Sequence, residues 1–202
     1  MEAATVQKKA DAKLPTRWGE FRILGFEGSA KGSDRVETVV ALVMGDPRSG
    51  APLVRLHSQC LTGDVFSSIR CDCRDQLEMA LEKIAADGRG ILLYEQQEGR
   101  GIGLIAKLQA YELQDQGRDT VEANEELGFK ADHREFAVPA AVLRTMGIAQ
   151  IRLLSNNPQK VAAMENAGIK VVERVSAEVE PQAHTKAYLR TKREKMGHLL
   201  SR

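Results

Sequence analysis

Apolar and polar positions alternate with a period near two over residues 19–26, which predicts a strand. A second strand is expected over 36–44 and a third over 52–57, separated by the turn-rich run Gly45-Asp46-Pro47-Arg48-Ser49-Gly50. From residue 74 the period lengthens: Leu77, Leu81 and Ile84 recur at helical spacing until Asp87-Gly88, a helix C-terminal signal. Residues 90–94 form a short apolar run that predicts a buried strand, and 102–116 read as a helix with Leu104, Leu108 and Tyr111 on one face. By pattern alone that makes Tyr111 a core tyrosine. Strands follow at 151–154 and 170–174, with a helix opening at Ser155-Asn156-Asn157-Pro158, where proline suits the first helical position. A last helix is expected over 182–196. Residues 1–15 lack this periodicity and read as a frayed tail, flexible over 1–13.

Strands first and strand–helix alternation afterwards predict an α/β fold. The expectation is a single layered domain over 1–202, with a mixed central sheet flanked by helices and a strand-rich N-terminal part. Ligands of such sheets bind at the carboxyl ends of strands, so the loops after strands are where a site is expected.

Composition narrows the function. Lys plus Arg number 29 against 28 for Asp plus Glu, a net charge of +1, without the basic excess of a general nucleic-acid binder. No apolar run approaches the length of a membrane span, and the polar N-terminus has no secretory h-region. A cytoplasmic protein with no nucleic-acid or membrane partner is the expectation. In a reducing compartment three clustered cysteines point to a metal or to catalysis rather than a disulfide framework.

Those cysteines, Cys60, Cys71 and Cys73, are spaced C-x10-C-x-C. Zinc favours thiolate and imidazole ligands in a tetrahedron. If His57 joins, three thiolates and an imidazole make a closed structural site; if it does not, a fourth position stays open for chemistry. Buried thiols without a metal are the third possibility.

The segment from Arg55 to Asp64, followed by Arg70-Cys71-Asp72-Cys73, resembles the zinc motif of GTP cyclohydrolase II. Gln97-Glu98-Gly99-Arg100-Gly101-Ile102-Gly103-Leu104 is similar to a second motif of that family. So, in order, are the runs Asp119 to Asn124, Gly128 to Arg134, Leu154 to Lys160 and Thr191 to His198. The resemblance covers about residues 14–200. It implies hydrolysis of GTP to a diaminopyrimidinone ribosylamino 5′-phosphate, formate and pyrophosphate at the entry to riboflavin synthesis. It also implies one zinc per chain, magnesium with the triphosphate, and a homodimer. The chain has no room for the dihydroxybutanone-phosphate synthase domain of some relatives, so a single activity is expected. Two rivals stay open: an enzyme that stops at the formamido-pyrimidine stage, and a non-catalytic zinc-stabilised paralogue that binds guanine nucleotides.

Residue by residue, the resemblance assigns Cys60, Cys71 and Cys73 as metal ligands. It assigns Arg55, Leu56, His57, Ser58, Gln59, Gln76, Glu98, Gly99, Arg100, Thr120, Ser155 and Lys160 to GTP binding, and Asp132, Arg134 and Tyr111 to catalysis. Taken alone, the glycine-rich run at 99–103 is a tight turn, Arg55 and Lys160 are solvated surface charges, and Asp132–Arg134 is a surface ion pair on a turn. Gln76 is then ordinary helix-surface polarity, and Thr120 a helix N-cap. In the family the residue matching Asp132 is a proton acceptor and that matching Arg134 a nucleophile at phosphorus. Guanidinium stays protonated in proteins, so a phosphate clamp is the competing role for Arg134. Three departures stand out: Gln59 where Glu is common, Gln96 where Arg is common, and Ser155 in place of Thr. His133 matches no functional position and is expected to be exposed.

Overall fold

A computed structural model of the chain describes residues 4–129 and 132–179. The helix expected over 182–196 and the motif at 191–198 lie outside the described residues. The described chain divides into two compact units. The first holds the residues up to His57, with Glu78–Gln96 and Glu135–Ala177; the second holds Ser58–Leu77, the described part of Gln97–Arg134, and 178–179.

The first unit is built on a seven-stranded sheet. Its strands are β1 (Thr5–Thr16), β2 (Gly19–Ser29), β3 (Glu37–Met44), β4 (Leu53–Ser58), β5 (Gly90–Glu95), β6 (Gln150–Leu154) and β7 (Lys170–Val175). They lie in the order β1-β2-β3-β5-β4-β6-β7. The pairs β1–β2, β2–β3 and β3–β5 are antiparallel, whereas β4–β6 and β6–β7 are parallel, so the sheet is mixed as expected. Toward the antiparallel edge, β3 buries alternate residues Val39, Ala41 and Val43, the pattern of a strand with one face in the core. In the middle, β4 and β5 bury nearly every residue, as strands covered on both faces do.

Two helices complete this core: α4 (Ala137–Thr145), with Val138, Ala140, Val142 and Leu143 buried, and α5 (Pro158–Asn166), through Met164. In α5, Asn157 is the N-cap, its Oδ1 accepting from the Gln159 N–H, and Pro158 opens the helix as expected. Helix α4 has no counterpart in the sequence reading. Its Pro139 reads as a breaker, but it sits in the first turn, where an N–H has no helical partner to lose.

The tail is the main correction. Residues 5–16 are a twelve-residue edge strand, in register with β2 from Thr5↔Ser29 to Thr16↔Gly19 around a bulge at Lys8/Ala10. The strand is almost wholly exposed, so it carries no apolar alternation by which to detect it. Its main-chain ladder holds it, with Asp11 accepting from Lys8 and Arg22. Thr16 and Gly19 close a tight turn: Trp18 N–H donates to Thr16 Oγ1, and the Thr16 hydroxyl donates to the Gly19 carbonyl.

At the centre of the sheet, Gly90 lets β5 pass close to its neighbours. A Cβ there would lie 2.6 Å from the Leu53 carbonyl oxygen and 3.0 Å from the Ile84 side chain. Backbone cannot yield as a flexible side chain does, so Gly90→Ala is expected to destabilise the protein by about 1–3 kcal/mol. A denaturant titration checks this; an unchanged midpoint would show that β4 and β5 can separate without cost.

Candidate active site

The cysteines belong to the second unit, and each is placed by a different local device. Cys60 is followed by a single π-helical turn, Leu61–Val65, closed by the Phe66 N–H on the Leu61 carbonyl. Asp64 reaches back to accept from the Cys60 N–H at 3.0 Å. Cys73 is the first residue of α1 (Cys73–Asp87), and Cys71 precedes it on the entering turn. Between them Asp72 is buried and accepts from the Gln76 side-chain amide, which ties that turn to the helix. Gln76, expected at the substrate, is thus also a brace for the cysteine turn.

All three sulfurs lie within 4.8 Å of one another. The Cys60 and Cys71 sulfurs are 3.7 Å apart, close to the edge of about 3.8 Å that a tetrahedron with Zn–S near 2.3 Å requires. The space exists because residue 63 is glycine. A Cβ there would stand 3.1 Å from the Cys71 sulfur, 3.2 Å from that of Cys60 and 3.1 Å from Cys73 Cβ. The residues therefore fit a metal bound by three thiolates. Among the described residues the ligand group consists of these three cysteines. His57 lies in the first unit with its ring stacked on Tyr94, centroids 5.4 Å apart. Of the two metal readings, the ligand group is the three-sulfur one, without His57.

A second ring of groups surrounds Cys60. Lys107, on α2 (Leu104–Asp115), places its ammonium 3.1 Å from the Cys60 sulfur, 3.0 Å from Thr62 Oγ1 and 2.7 Å from Glu98 Oε1. The other oxygen of Glu98 accepts from the Leu61 N–H at 2.7 Å. One turn along α2, the Tyr111 hydroxyl meets Thr62 Oγ1 at 3.2 Å, and Arg70 stacks its guanidinium over the Tyr111 ring at 4.7 Å. Tyr111 is therefore not the core residue its pattern predicts: its ring is half-buried and its hydroxyl joins the polar cluster. The helical face it shares is not a core face either, since Leu108 is 40% exposed.

The electrostatics follow from this crowding. Hydrogen bonds from Cys71 and Cys73, with Lys107 beside it, push the Cys60 thiol far below its ordinary range. Cys71 is pushed up to about 11 by its bond with Cys60, and Cys73 is raised by the same neighbour. Burial would lower Lys107, but Glu98 and the Cys60 sulfur outweigh it and hold the ammonium charged. Burial raises the Tyr111 phenol.

Asp132 and Arg134 form the other polar group of this unit. Arg134 donates through Nε at 2.9 Å and Nη2 at 2.5 Å to the two Asp132 oxygens. The side chains are only 12% and 14% exposed for Arg134 and Asp132, so this is not the surface pair expected from sequence. Burial acts to raise the Asp132 pKa, but the Arg134 guanidinium overcomes it and keeps the carboxyl below its usual value. The segment is clasped to the turn Glu98–Gly101 by the His133 N–H on the Arg100 carbonyl at 3.0 Å. Gly99 and Arg100 both adopt φ near 60°, and a Cβ on Gly101 would stand 3.1 Å from His133 backbone. His133 itself is exposed, as expected. Ser58 Oγ lies 3.5 Å from Arg134 Nη1, and Gln59 is half-buried. Thr120 opens α3 (Thr120–Glu126), whose cap is Asp119: its carboxylate accepts from Val121 and Glu122, and Glu122 returns the bond.

The remaining expected residues lie in the first unit. Arg55 and Lys160 are 7% and 4% exposed, not solvated charges. Arg55 donates to the Leu154 carbonyl at 3.0 Å and Lys160 to the Leu56 carbonyl at 2.7 Å. Leu56 is core, and Ser155 is buried with its hydroxyl accepting from the Asn157 N–H.

Lys107, Thr62 and Gly63 escaped sequence reasoning. Lys107 was legible in principle, because it lies four residues before Tyr111 on the same helical face. The cradle gives a direct test. Gly63→Ala should lower the metal content of the purified protein well below that of wild type, because its methyl group presses on all three cysteines. Elemental analysis decides it; equal metal in the two proteins would mean that the turn relaxes freely.

With this geometry in hand, comparison with known proteins is specific. The GTP cyclohydrolase II family matches residues 7–176. GTP cyclohydrolase-2 of Escherichia coli is 54% identical over 198 residues, 98% of this chain and 99% of that protein. GTP cyclohydrolase-2 of Shigella boydii matches at the same identity and coverage. The riboflavin biosynthesis protein RibBA of Chlorobium phaeovibrioides is 52% identical over 197 residues, which is 97% of this chain but 47% of that protein. The chain thus spans about half the length of one relative and nearly all of the others, and on the extent of these matches it belongs to the GTP cyclohydrolase II family.

Proposed function

We propose that this chain hydrolyses GTP to 2,5-diamino-6-ribosylamino-4(3H)-pyrimidinone 5′-phosphate, formate and pyrophosphate, the entry step of riboflavin biosynthesis. The observation that carries this reading is the three-cysteine cradle with the Tyr111 hydroxyl held beside it through Thr62. Cys60, Cys71 and Cys73 would hold one zinc per chain; when bound, it supplies Lewis-acid activation of the attacking water. Magnesium accompanying the triphosphate, a homodimer and a cytoplasmic location complete the proposal, on the resemblance and composition alone.

The chain's own residues divide the work. Tyr111 serves the opened ring by donating a proton or positioning water for formate release. Its hydroxyl is at the cluster, which favours the complete reaction over an enzyme that stops at the formamido stage. Asp132 grips both Nε and Nη2 of Arg134 and fixes the orientation of the guanidinium. A cation so held suits a clamp that stabilises charge on the α-phosphate, and this is the role we assign to it in preference to a nucleophile. Glu98 has both carboxylate oxygens engaged within the chain, so its part in GTP binding is to shape the turn that presents Gly99 and Arg100. Gln76, Thr120, Arg55, Leu56, His57, Ser58, Gln59, Ser155 and Lys160 are carried over as GTP contacts from the resemblance.

The test is product analysis by mass after incubation with GTP, zinc and magnesium. Wild type should yield formate, pyrophosphate and the diaminopyrimidinone. Tyr111→Phe should bind GTP and lose about 10²–10⁴-fold in formate release, with a formamido product accumulating. Equal formate from two equally folded proteins would remove Tyr111 from the chemistry, and no turnover of GTP by wild type would remove the proposed activity.

Arg134 is tested separately. Arg134→Ala should cost at least about 10²-fold in turnover. It also strands a largely buried carboxylate, at about 3–5 kcal/mol of stability, so melting is measured alongside. Arg134→Lys keeps the charge without the fork and should retain part of the pyrophosphate release. A covalent guanylyl adduct trapped on Arg134 would overturn the clamp.

A further inference from the structure

Lys107 has no role in the chemistry assigned so far, and its surroundings are unusual for a lysine. A protonated amine offers three N–H groups and accepts nothing. Here three acceptors meet it: Glu98 Oε1 at 2.7 Å, Thr62 Oγ1 at 3.0 Å and the Cys60 sulfur at 3.1 Å. The side chain is largely buried, and its salt bridge with Glu98 is one of the least exposed in the described protein. A lysine kept merely to cover apolar surface would send its head to solvent.

The polarity of these bonds has a direction. Because Lys107 donates to both Thr62 Oγ1 and the Cys60 sulfur, the Thr62 proton is left to the Tyr111 oxygen at 3.2 Å, the neighbour that does not already accept from Lys107. If Thr62 donates to Tyr111, the phenol's own proton points away from the chain's cluster. The same ammonium places a positive charge against the Cys60 sulfur, read as a metal ligand. Groups that hydrogen-bond a ligating atom tune the metal's electron supply and are felt as strongly as many direct contacts.

We infer that Lys107 is a positioning residue that couples the two halves of the site: anchored by Glu98, it draws electron density from the Cys60 ligand and, through Thr62, orients the Tyr111 hydroxyl as a proton donor. The inference rests on the reading of Cys60, Cys71 and Cys73 as metal ligands.

The experiment substitutes Co²⁺ for the spectroscopically silent zinc and reads the thiolate-to-cobalt charge-transfer band in wild type, Lys107→Met, Lys107→Arg and Thr62→Val. A sulfur relieved of its cation gives up an electron more readily. The band of Lys107→Met should therefore move to longer wavelength, while Lys107→Arg stays near wild type. With zinc restored, Lys107→Met should release formate about 10–100-fold more slowly, with KM for GTP little changed and partial rescue by Lys107→Arg. Thr62→Val should leave the band in place and shift products toward the formamido compound, as Tyr111→Phe does. Absence of a thiolate band in wild type overturns the three-thiolate site itself. A normal wild-type band that stays put in Lys107→Met overturns only the coupling to Cys60, and full formate yield from Thr62→Val overturns the coupling to Tyr111. Should Lys107→Met fail to fold, Lys107→Gln supplies the neutral comparison and Thr62→Val still decides the second arm.

Discussion

Three sulfurs within 4.8 Å cannot all carry charge unless a cation stands among them. Much of the second unit answers that constraint. Gly63 withholds a side chain so that the sulfurs can approach, the π-turn aims Cys60 inward, and the first residue of α1 delivers Cys73. Lys107 supplies a fixed positive charge on one flank, and Glu98 keeps it there. Without a metal the group shares its protons unevenly: Cys60 is easily ionised, and its two neighbours are held as donors to it. A divalent ion with three thiolates still leaves one negative charge, and the Lys107 ammonium is shared between that charge and the Glu98 carboxylate.

Burial changes the meaning of several charged residues. Arg55 and Lys160, ordinary surface charges by type, are withdrawn from water onto main-chain carbonyls. Asp132 and Arg134 form a gripped, largely buried pair. Ion pairs of this kind contribute little net stability against an apolar substitute, yet breaking one side is costly. That asymmetry suits residues retained for what they do to a ligand's charge.

Most of the sheet was legible from hydrophobic period. β2 through β7 carry enough apolar alternation or continuous apolar run to announce themselves, and Asn157-Pro158 marked the start of α5. β1 was not legible because its ladder, rather than its side chains, holds it in place. α4 was hidden by a proline in a position where proline is harmless, and α3 by its brevity, although Asp119 and Glu122 spell its capping box. At the site, the cysteine spacing and the ordered motifs led to Cys60, Cys71, Cys73 and Tyr111. Periodicity misread Tyr111 because a helical face bearing Leu104 and Leu108 looks the same whether it meets a core or not. Thr62 and Lys107 belong to no metal-ligand type; Lys107 is marked in the sequence only by its place one turn before Tyr111, and distances reveal what the two touch.

The edge strand has a bearing on how the protein is handled. β1 covers one side of β2, and it presents Lys8, Lys9 and Lys13 along a rim that is nearly all solvent-exposed. Lysines on an open rim discourage another chain from adding to the sheet. Shortening the N-terminus to tidy an expression product would strip away that charged hem and leave the β2 backbone, with Phe21, Leu24 and Phe26 in its run, as the new border. Material cut in this way invites self-association, whereas a tag placed ahead of Thr5 leaves the protective strand where it is.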